Sequence, residues 1–209
     1  MDDDEGRELK RPLRLDRNEA PFPAPPHVVA AARRGLSRLN RYANPEDLAR
    51  LRRLLGTYAN VPVDQVIVGP GSDILLREMI HAFAGERKVV MVSPSFLPTV
   101  EAARETAAWW TGLRLSPPTF ALQAELLLTE VSQPCLVIID NPNNPTGQIL
   151  LDRQTVQAVL EEEETLLLID EAYHEFARMS ALEKKQWDGS YVDLVRDYTN
   201  LAVTRTMDK

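Results

Sequence analysis

The sequence has little cysteine, histidine or aromatic content. Its 209 residues include one cysteine, three histidines and 6% aromatic side chains. A single cysteine, Cys135, excludes an internal disulfide framework and is typical of a reducing compartment. Because Cys135 belongs to the apolar run 135–139, the sequence favours a buried structural thiol over a nucleophile.

Basic residues are also in deficit, because 24 Lys and Arg stand against 31 Asp and Glu, which gives a net charge of −7. They form no polybasic block, so nucleic acid is not an expected partner. The acidic start Met1-Asp-Asp-Asp-Glu5 lacks the basic and apolar regions of a signal peptide. No apolar run approaches the ~20 residues that cross a bilayer. We therefore expect a soluble, cytoplasmic protein without a membrane partner.

Two kinds of catalytic site are absent as sequence patterns. No group of His, Cys and Asp residues has metal-ligand spacing, so no metal site is predicted. No serine lies in a nucleophile-elbow context. His27 and His81 are interpreted as surface or internally satisfied residues.

Apolar residues make up 44% of the chain, enough for a substantial core. Prolines interrupt residues 1–45, which predicts an extended arm with one short helix over 27–39. From Pro45 onward, helix-like and strand-like segments alternate, and the later strands are apolar throughout. Such strands suit a sheet covered on both faces, so we predict a three-layer α/β/α fold with a mostly parallel sheet. The predicted strands are 66–68, 88–92, 108–113, 135–140, 165–170 and 201–206. The predicted helices are 46–55, a segment ending at Phe83 and capped by Ser72 or Asp73, 99–107, and 152–164 capped by Asp152.

The strongest motif is the turn Asn141-Pro-Asn-Asn-Pro-Thr-Gly147, directly after the strand predicted over 135–140. Two Asn-Pro units and a Thr-Gly pair specify a rigid turn. Ligands of open α/β sheets bind beyond the carboxyl ends of the strands, where this turn lies. The residues alone leave two interpretations open, a tight turn without a ligand and one wall of a binding site.

Two further motifs lie at the ends of predicted strands. Asp170-Glu-Ala-Tyr173 places a carboxylate at a buried strand end, where it needs a partner or acts as a helix cap. His174 and Glu175, which follow, are interpreted as surface residues. Gly69-Pro-Gly-Ser-Asp73 leads from a strand into a helix, whose N-terminal N–H groups attract phosphate.

In this order, with the run 201–206 leading into Arg205-Thr-Met-Asp-Lys209, the motifs resemble the active-site elements of fold-type-I pyridoxal phosphate (PLP) enzymes of the histidinol-phosphate aminotransferase type. The resemblance covers 15–209 and implies PLP as cofactor and a homodimer. It implies amino transfer between an amino acid or amino-phosphate donor and a 2-oxo acid. It identifies 46–209 as an incomplete PLP-binding large domain that follows the 1–45 arm, with the C-terminal small domain absent.

The resemblance also implies a role for each site residue. Lys209 would form the Schiff base with PLP and move the proton at the substrate's α-carbon. Asp170 would hold the pyridinium N–H, Asn144 and Tyr173 would donate to the phenolic oxygen, and Phe96 would stack on the ring. The implied phosphate contacts are Ser72, Asp73, Thr206 and, from the neighbouring subunit, Tyr42.

The chain departs from the family pattern at several points. Asp208 stands where the family has a serine that helps hold the phosphate, and Ile74 stands where a glutamate is frequent. The segment 170–209 is longer than in the family, mainly around 180–189, which we interpret as a surface insertion. Because nothing follows Lys209, we expect an unfilled slot in the sheet between its first and last strands.

Two alternatives to the aminotransferase remain open at this stage. One is a PLP-dependent decarboxylase of the same fold that acts on an amino-acid phosphate, since these motifs do not separate the two reactions. The other is a truncated, non-catalytic homologue, which Asp208 favours and the presence of Asn144, Asp170, Tyr173 and Lys209 opposes.

Overall fold

The computed structural model describes residues 16–85, 87–107, 109–177 and 189–209. They fall into two compact units, the chain up to Tyr42 together with Met207–Lys209, and Ala43–Thr206. The smaller unit contains helix α1, Pro26–Gly35, followed by a 3-10 turn, Leu36–Arg38, close to the predicted helix 27–39. Proline suits the first turn of α1, where its missing N–H would have no partner.

Further α-helices lie in the described residues of the larger unit, and side chains cap two of them. Asn44 accepts a 2.9 Å hydrogen bond from the Glu46 N–H and so caps the first of them. Asp152 caps the last by accepting a 2.7 Å bond from the Thr155 N–H, as predicted. The helices are α2 Pro45–Ala59, α3 Ser72–Phe83, α4 Leu97–Thr106, α5 Ala124–Glu130 and α6 Arg153–Leu160, with 3-10 turns at Val63–Gln65 and Val192–Arg196.

Within the described residues of the larger unit, five strands form one sheet, and every neighbouring pair is parallel. Their order is β2-β1-β3-β4-β5, so the chain extends the sheet to one side of β1 and then to the other. The strands are β1 Lys88–Ser93, β2 Trp110–Arg114, β3 Cys135–Asp140, β4 Leu166–Asp170 and β5 Leu201–Thr204. These strands confirm the predicted parallel α/β fold.

Helices cover both faces of the sheet, which gives three layers. Side chains at alternate positions of β1 belong to different cores, Val90 and Val92 to one and Val89 and Met91 to the other. The first core contains apolar residues of α5 and α6, and the second contains those of α3 and α4. Each fully buried Leu, Ile or Val contributes about 1.5–3 kcal/mol by removal from water. Burial on both faces explains why these strands read as continuous apolar runs.

The strand predicted over 66–68 is wrong. The backbone at Val66 is extended, with φ −105° and ψ 121°, but within the described chain β5 is the last strand on its side of the sheet and no strand pairs with 66–68. Ile67 is 79% exposed, as expected for an apolar residue without a neighbouring strand. Extended backbone is counted as a strand only when its N–H and C=O groups join a ladder.

Two helix predictions also need correction. α3 begins at Ser72 after Gly71, and no side chain accepts a hydrogen bond at its start, so neither Ser72 nor Asp73 is its cap. α6 ends at Leu160 rather than at 164, and the exposed residues 161–164 are four glutamates that would oppose the dipole at a helix C-terminus. α5 has no counterpart among the predicted helices, and no side chain caps its start.

Cys135 is fully buried at the start of β3, which confirms the predicted burial of its thiol. Its Sγ lies 3.5 Å from Thr165 Oγ1, and burial raises the pKa of the thiol. In the part of the chain that the structure describes, no helix combines the length and apolarity needed to cross a bilayer.

Candidate active site

The candidate site lies where parallel strands end on the same edge of the sheet. The strand order reverses direction between β1 and β3, because β2 lies beyond β1 on one side and β4 and β5 lie beyond β3 on the other. The carboxyl ends of strands at such a switch point form a crevice, the usual ligand site of open α/β sheets. Two of the predicted motifs follow β3 and β4 at this edge, and the loop after β1 carries the predicted site residue Phe96.

Asp140, the last residue of β3, joins the loops that follow β1 and β3. Its Oδ1 accepts hydrogen bonds from Ser95 Oγ at 2.9 Å and from Asn143 Nδ2 at 3.0 Å. Its Oδ2 accepts the backbone N–H of Asn144 at 2.7 Å. Asn143 Nδ2 also donates to the carbonyl of Pro94 at 3.1 Å. The loop after β1 and the turn after β3 are therefore held to one buried carboxylate.

The Asn-Pro turn itself is held by the side chains of its asparagines. Asn141 Oδ1 accepts the N–H groups of Leu150 and Leu151, at 2.7 and 3.2 Å. Asn143 Oδ1 accepts the Thr146 hydroxyl at 2.5 Å. Within the described chain, the side-chain amide of Asn144 makes no hydrogen bond and is half-buried. The turn is therefore rigid and leaves the Asn144 amide able to bind a ligand.

Asp170 ends β4 directly opposite Asp140 in the parallel register, and only 6% of its surface is exposed. Its Oδ1 accepts the Thr204 hydroxyl at 2.8 Å and the Ala172 N–H at 3.2 Å. Its Oδ2 accepts no hydrogen bond from the residues that the structure describes. The pKa of Asp170 is raised to about 6, mainly by burial and in part by the nearby carboxylates of Asp140 and Asp73. Burial also raises the pKa of Asp140.

A second buried carboxylate, Glu171, follows Asp170 and has an arginine as its partner. Glu171 is 0% exposed, and its Oε2 lies 3.0 Å from Arg205 Nε. The same oxygen accepts the Ser190 hydroxyl at 2.6 Å, while Oε1 accepts the Tyr191 N–H at 2.8 Å. This network joins the end of β4 to the residues after β5 and to the segment that enters the 3-10 turn before β5.

The interpretation of His174 as a surface residue is wrong, whereas Glu175 remains partly exposed. His174 is 9% exposed, and its Nδ1 lies 3.8 Å from Glu171 Oε2. Glu175 is half-buried and accepts a hydrogen bond from the Tyr58 hydroxyl. Glu171 therefore lies beside a buried histidine whose polarity alone had assigned it to solvent.

The start of α3 provides backbone N–H groups that no side chain caps. Gly71 precedes it with φ +105°, a conformation that suits glycine. The buried Ser72 hydroxyl makes no hydrogen bond with the described residues, and Asp73 acts electrostatically on Asp170. The start of α3 therefore lies near the strand ends that carry the other site residues. Thr206 is half-buried two residues beyond β5.

Phe96 and Tyr173 are both half-buried in loops at the strand ends. Tyr173 contacts Phe176, with ring centroids 6.5 Å apart. Two predicted site residues belong to the smaller unit and are described only within it. Tyr42 is fully exposed, and Lys209 Nζ lies 3.4 Å from Asp208 Oδ2.

The residues that hold the site together were absent from the sequence prediction. Asp140 ends an apolar strand just as Asp170 does, and that shared position was a usable signal. Glu171 belongs to the motif 170–173 and Arg205 to the segment 205–209, but neither residue was predicted to have a role. Charged residues flanked by apolar strands are rarely buried without partners, so this pair could also have been inferred.

The sequence model of the family described as aminotransferase class I and II matches residues 10–209. The chain belongs to this family.

Individual relatives are similar along almost the whole chain. It is 33% identical to the histidinol-phosphate aminotransferase of Sulfurisphaera tokodaii over 94% of its own length and 54% of that protein. It is 36% identical to the histidinol-phosphate aminotransferase of Methanothermobacter thermautotrophicus over 94% of its length and 50% of that protein. The chain thus spans about half the length of these curated relatives.

Solved structures are also similar to this chain along almost its whole length. A protein from Erwinia carotovora atroseptica superposes with a TM-score of 0.84 at 25% identity, over 95% of this chain and 57% of that one. The histidinol-phosphate aminotransferase of Sinorhizobium meliloti, solved in complex with pyridoxal-5'-phosphate, gives a TM-score of 0.76 at 25% identity, over 92% of this chain and 51% of that one. These superpositions support the α/β fold with its parallel sheet and flanking helices.

Proposed function

We propose that this chain takes part in PLP-dependent amino transfer between an amino acid or amino-phosphate donor and a 2-oxo acid. The observation that carries the proposal is Asp170, a buried carboxylate at the switch-point edge whose Oδ2 has no hydrogen-bond partner in the described chain. Its two charged neighbours, Asp140 and Asp73, are also acidic and disfavour its ionised form. A cationic N–H group would satisfy the free oxygen and keep the carboxylate ionised.

The pyridinium nitrogen of PLP is such a group. When bound, PLP supplies an electron sink for bonds at the substrate's α-carbon, provided that its ring nitrogen stays protonated. Asp170 would hold that proton, while Thr204 and the Ala172 N–H hold the other carboxylate oxygen. The donor set of the site therefore fits the cofactor.

Asn144 and Tyr173 would donate to the phenolic oxygen of the ring. The Asn144 amide is free in the described chain, and its backbone is fixed by Asp140. Phe96 would stack on the electron-poor ring, because an aromatic π-face attracts its positive charge. Each of these residues follows a strand of the parallel sheet, so the scaffold orients all three.

The phosphate would bind at the start of α3. Its uncapped N–H groups and dipole favour an anion, and Ser72 adds a hydroxyl. Asp73 and Thr206 complete the proposed contacts on this subunit. Tyr42 would reach the phosphate of the neighbouring subunit, which implies a homodimer.

Lys209 would bind the cofactor covalently through its amine and then move the proton at the substrate's α-carbon. Lysine suits both roles because its pKa falls readily in a buried or cationic setting. In this assignment, 46–209 belongs to the PLP-binding domain. We propose an amino donor similar to histidinol phosphate, because relatives at 33% and 36% identity are named histidinol-phosphate aminotransferases.

The first test is to add PLP to the purified chain, reduce with borohydride, and map the modified peptide by mass spectrometry. One adduct at Lys209, absent in Lys209→Ala, is the expected result. Adducts spread over many lysines would contradict the assignment.

A second measurement separates the substrates. PLP absorbance would be followed after addition of histidinol phosphate, glutamate or phosphothreonine. A spectral change with histidinol phosphate and reversal by 2-oxoglutarate support amino transfer. Release of carbon dioxide from phosphothreonine would instead support a decarboxylase.

A further inference from the structure

Asp140 has hydrogen-bond partners on two different loops. It is 5% exposed and ends β3, and its carboxylate accepts three hydrogen bonds from Ser95, Asn143 and Asn144. Ser95 belongs to the loop after β1 that also carries Phe96. Asn144 belongs to the turn after β3.

All three donors are neutral, so no ion pair within this set offsets the burial of the carboxylate. Both oxygens of Asp140 act as acceptors, Oδ1 for two donors and Oδ2 for the third. An asparagine would place an NH₂ group against the Asn144 N–H in one orientation and against Ser95 and Asn143 in the other. Only a carboxylate satisfies the three donors together.

Because Asp140 lies at the end of β3, its hydrogen bonds also affect the crevice where a ligand would bind. β1 and β3 are adjacent, and the crevice at their carboxyl ends is the switch point of the sheet. The loops on its two sides carry the proposed stacking residue Phe96 and the proposed donor Asn144. A second bond, from Asn143 Nδ2 to the Pro94 carbonyl at 3.1 Å, joins the same loops.

We propose that Asp140 is a positioning residue that holds the loop after β1 and the turn after β3 at a fixed separation, and thereby places Phe96 and Asn144 on the cofactor ring. The part concerning the ring rests on the proposed function. The coupling of the two loops does not, and it can be measured without a cofactor.

The test compares Asp140→Asn with wild type in the full 209-residue chain. Asp152→Asn is the matched control, because Asp152 is an exposed helix cap and asparagine caps equally well. Amide hydrogen exchange is measured first, without PLP, on peptides covering 93–98 and 141–147. We expect exchange about tenfold faster in both segments, as for the loss of one buried hydrogen bond, and unchanged exchange in β4.

The same variants are then titrated with PLP and followed by the circular dichroism of the bound cofactor. We expect Asp140→Asn to weaken binding about tenfold and to reduce the dichroic band, while Asp152→Asn matches wild type. Faster exchange confined to 141–147 would overturn the coupling of the loops. Wild-type affinity and dichroism in Asp140→Asn would overturn the positioning of the ring.

Two further outcomes, a variant that does not fold and a wild type that does not bind PLP, also decide between the proposals. If Asp140→Asn does not fold, Ser95→Ala removes only the bond to the loop after β1, and unchanged exchange in 93–98 would then overturn the proposal. If wild type does not bind PLP, the proposed function fails, whereas the exchange data still decide whether Asp140 couples the loops.

Discussion

Glu171 and Arg205 form an ion pair inside the larger unit, with Arg205 Nε 3.0 Å from Glu171 Oε2 and the glutamate side chain fully buried. The Arg205 guanidinium also donates to Ser190 and lies 5.8 Å from the centre of the Tyr58 ring. Through this pair, the end of β4 is joined to the residues that follow β5.

Removing one partner of this pair should strongly destabilise the chain. Arg205→Ala leaves Glu171 buried without its cation, and we expect a loss of about 3–5 kcal/mol in the free energy of unfolding. Urea denaturation measures this loss. The control is Arg153→Ala, which breaks the more exposed pair with Asp193 and should cost at most about 1 kcal/mol. Equal losses in the two variants would show that burial of Glu171 does not govern the effect.

Asp170 should make the cofactor-free chain less stable as the pH rises. Its folded-state pKa of about 6 lies above the reference value of 3.8, so the folded state binds its proton more tightly than the unfolded state. The contribution is therefore fully favourable below pH 3.8 and is lost as the pH rises towards 6. At 1.36 kcal/mol per pH unit, the loss is about 3 kcal/mol.

Asp170→Asn tests this prediction, because its amide oxygen can still accept from Thr204 and Ala172. We expect the variant to be more stable than wild type at pH 8 and to lose that advantage towards pH 4. Urea midpoints measured across this range give the two profiles. Parallel profiles would show that Asp170 does not titrate in this window.

Gly71 should resist replacement although its surroundings are open. A Cβ there would meet no atom within 4 Å, but φ is +105°, so Gly71→Ala strains the backbone by about 1–3 kcal/mol. Gly35 is the control, because its site is equally open and φ is −71°, within the helical range. Gly35→Ala should leave thermal stability unchanged or raise it slightly. A melting temperature for Gly71→Ala equal to that of wild type would contradict the strain argument.

Asp208→Ser should strengthen PLP binding. In the proposed assignment Asp208 takes the place of a serine that helps hold the phosphate. A carboxylate in that role would repel the dianion, and at about 4 Å in water one such pair costs about 1 kcal/mol. We therefore expect roughly fivefold tighter binding, measured by fluorescence titration. Asp208→Asn serves as the control, because it removes the charge without adding the hydroxyl. Wild-type affinity in both variants would show that Asp208 does not act on the phosphate.

Secondary-structure elements were predicted correctly from the sequence where their formation depends only on their own residues. The strand over 135–140 was predicted at its observed bounds because a continuous apolar run between polar turns has few alternatives. The cap at Asp152 was predicted because a cap involves only neighbouring residues. The strand over 66–68 failed because a strand also needs a partner, which its own residues do not specify.

In the candidate site, prediction from the sequence failed at the buried polar residues. His174 was assigned to the surface on its polarity, yet it packs beside Glu171. Asp140 was passed over because its partners, Ser95 and Asn144, lie in different loops.

By itself, the sequence determined the alternation of helices and strands, the parallel character of the sheet and the order of the motifs. Only the tertiary structure decided that β3 lies between β1 and β4, which places Asp140 opposite Asp170 and within 2.9 Å of Ser95. Hydrophobic periodicity specifies that a residue is buried and on which face. It does not specify which strand lies next to it in the sheet, because the same pattern of buried residues is compatible with any apolar strand as neighbour.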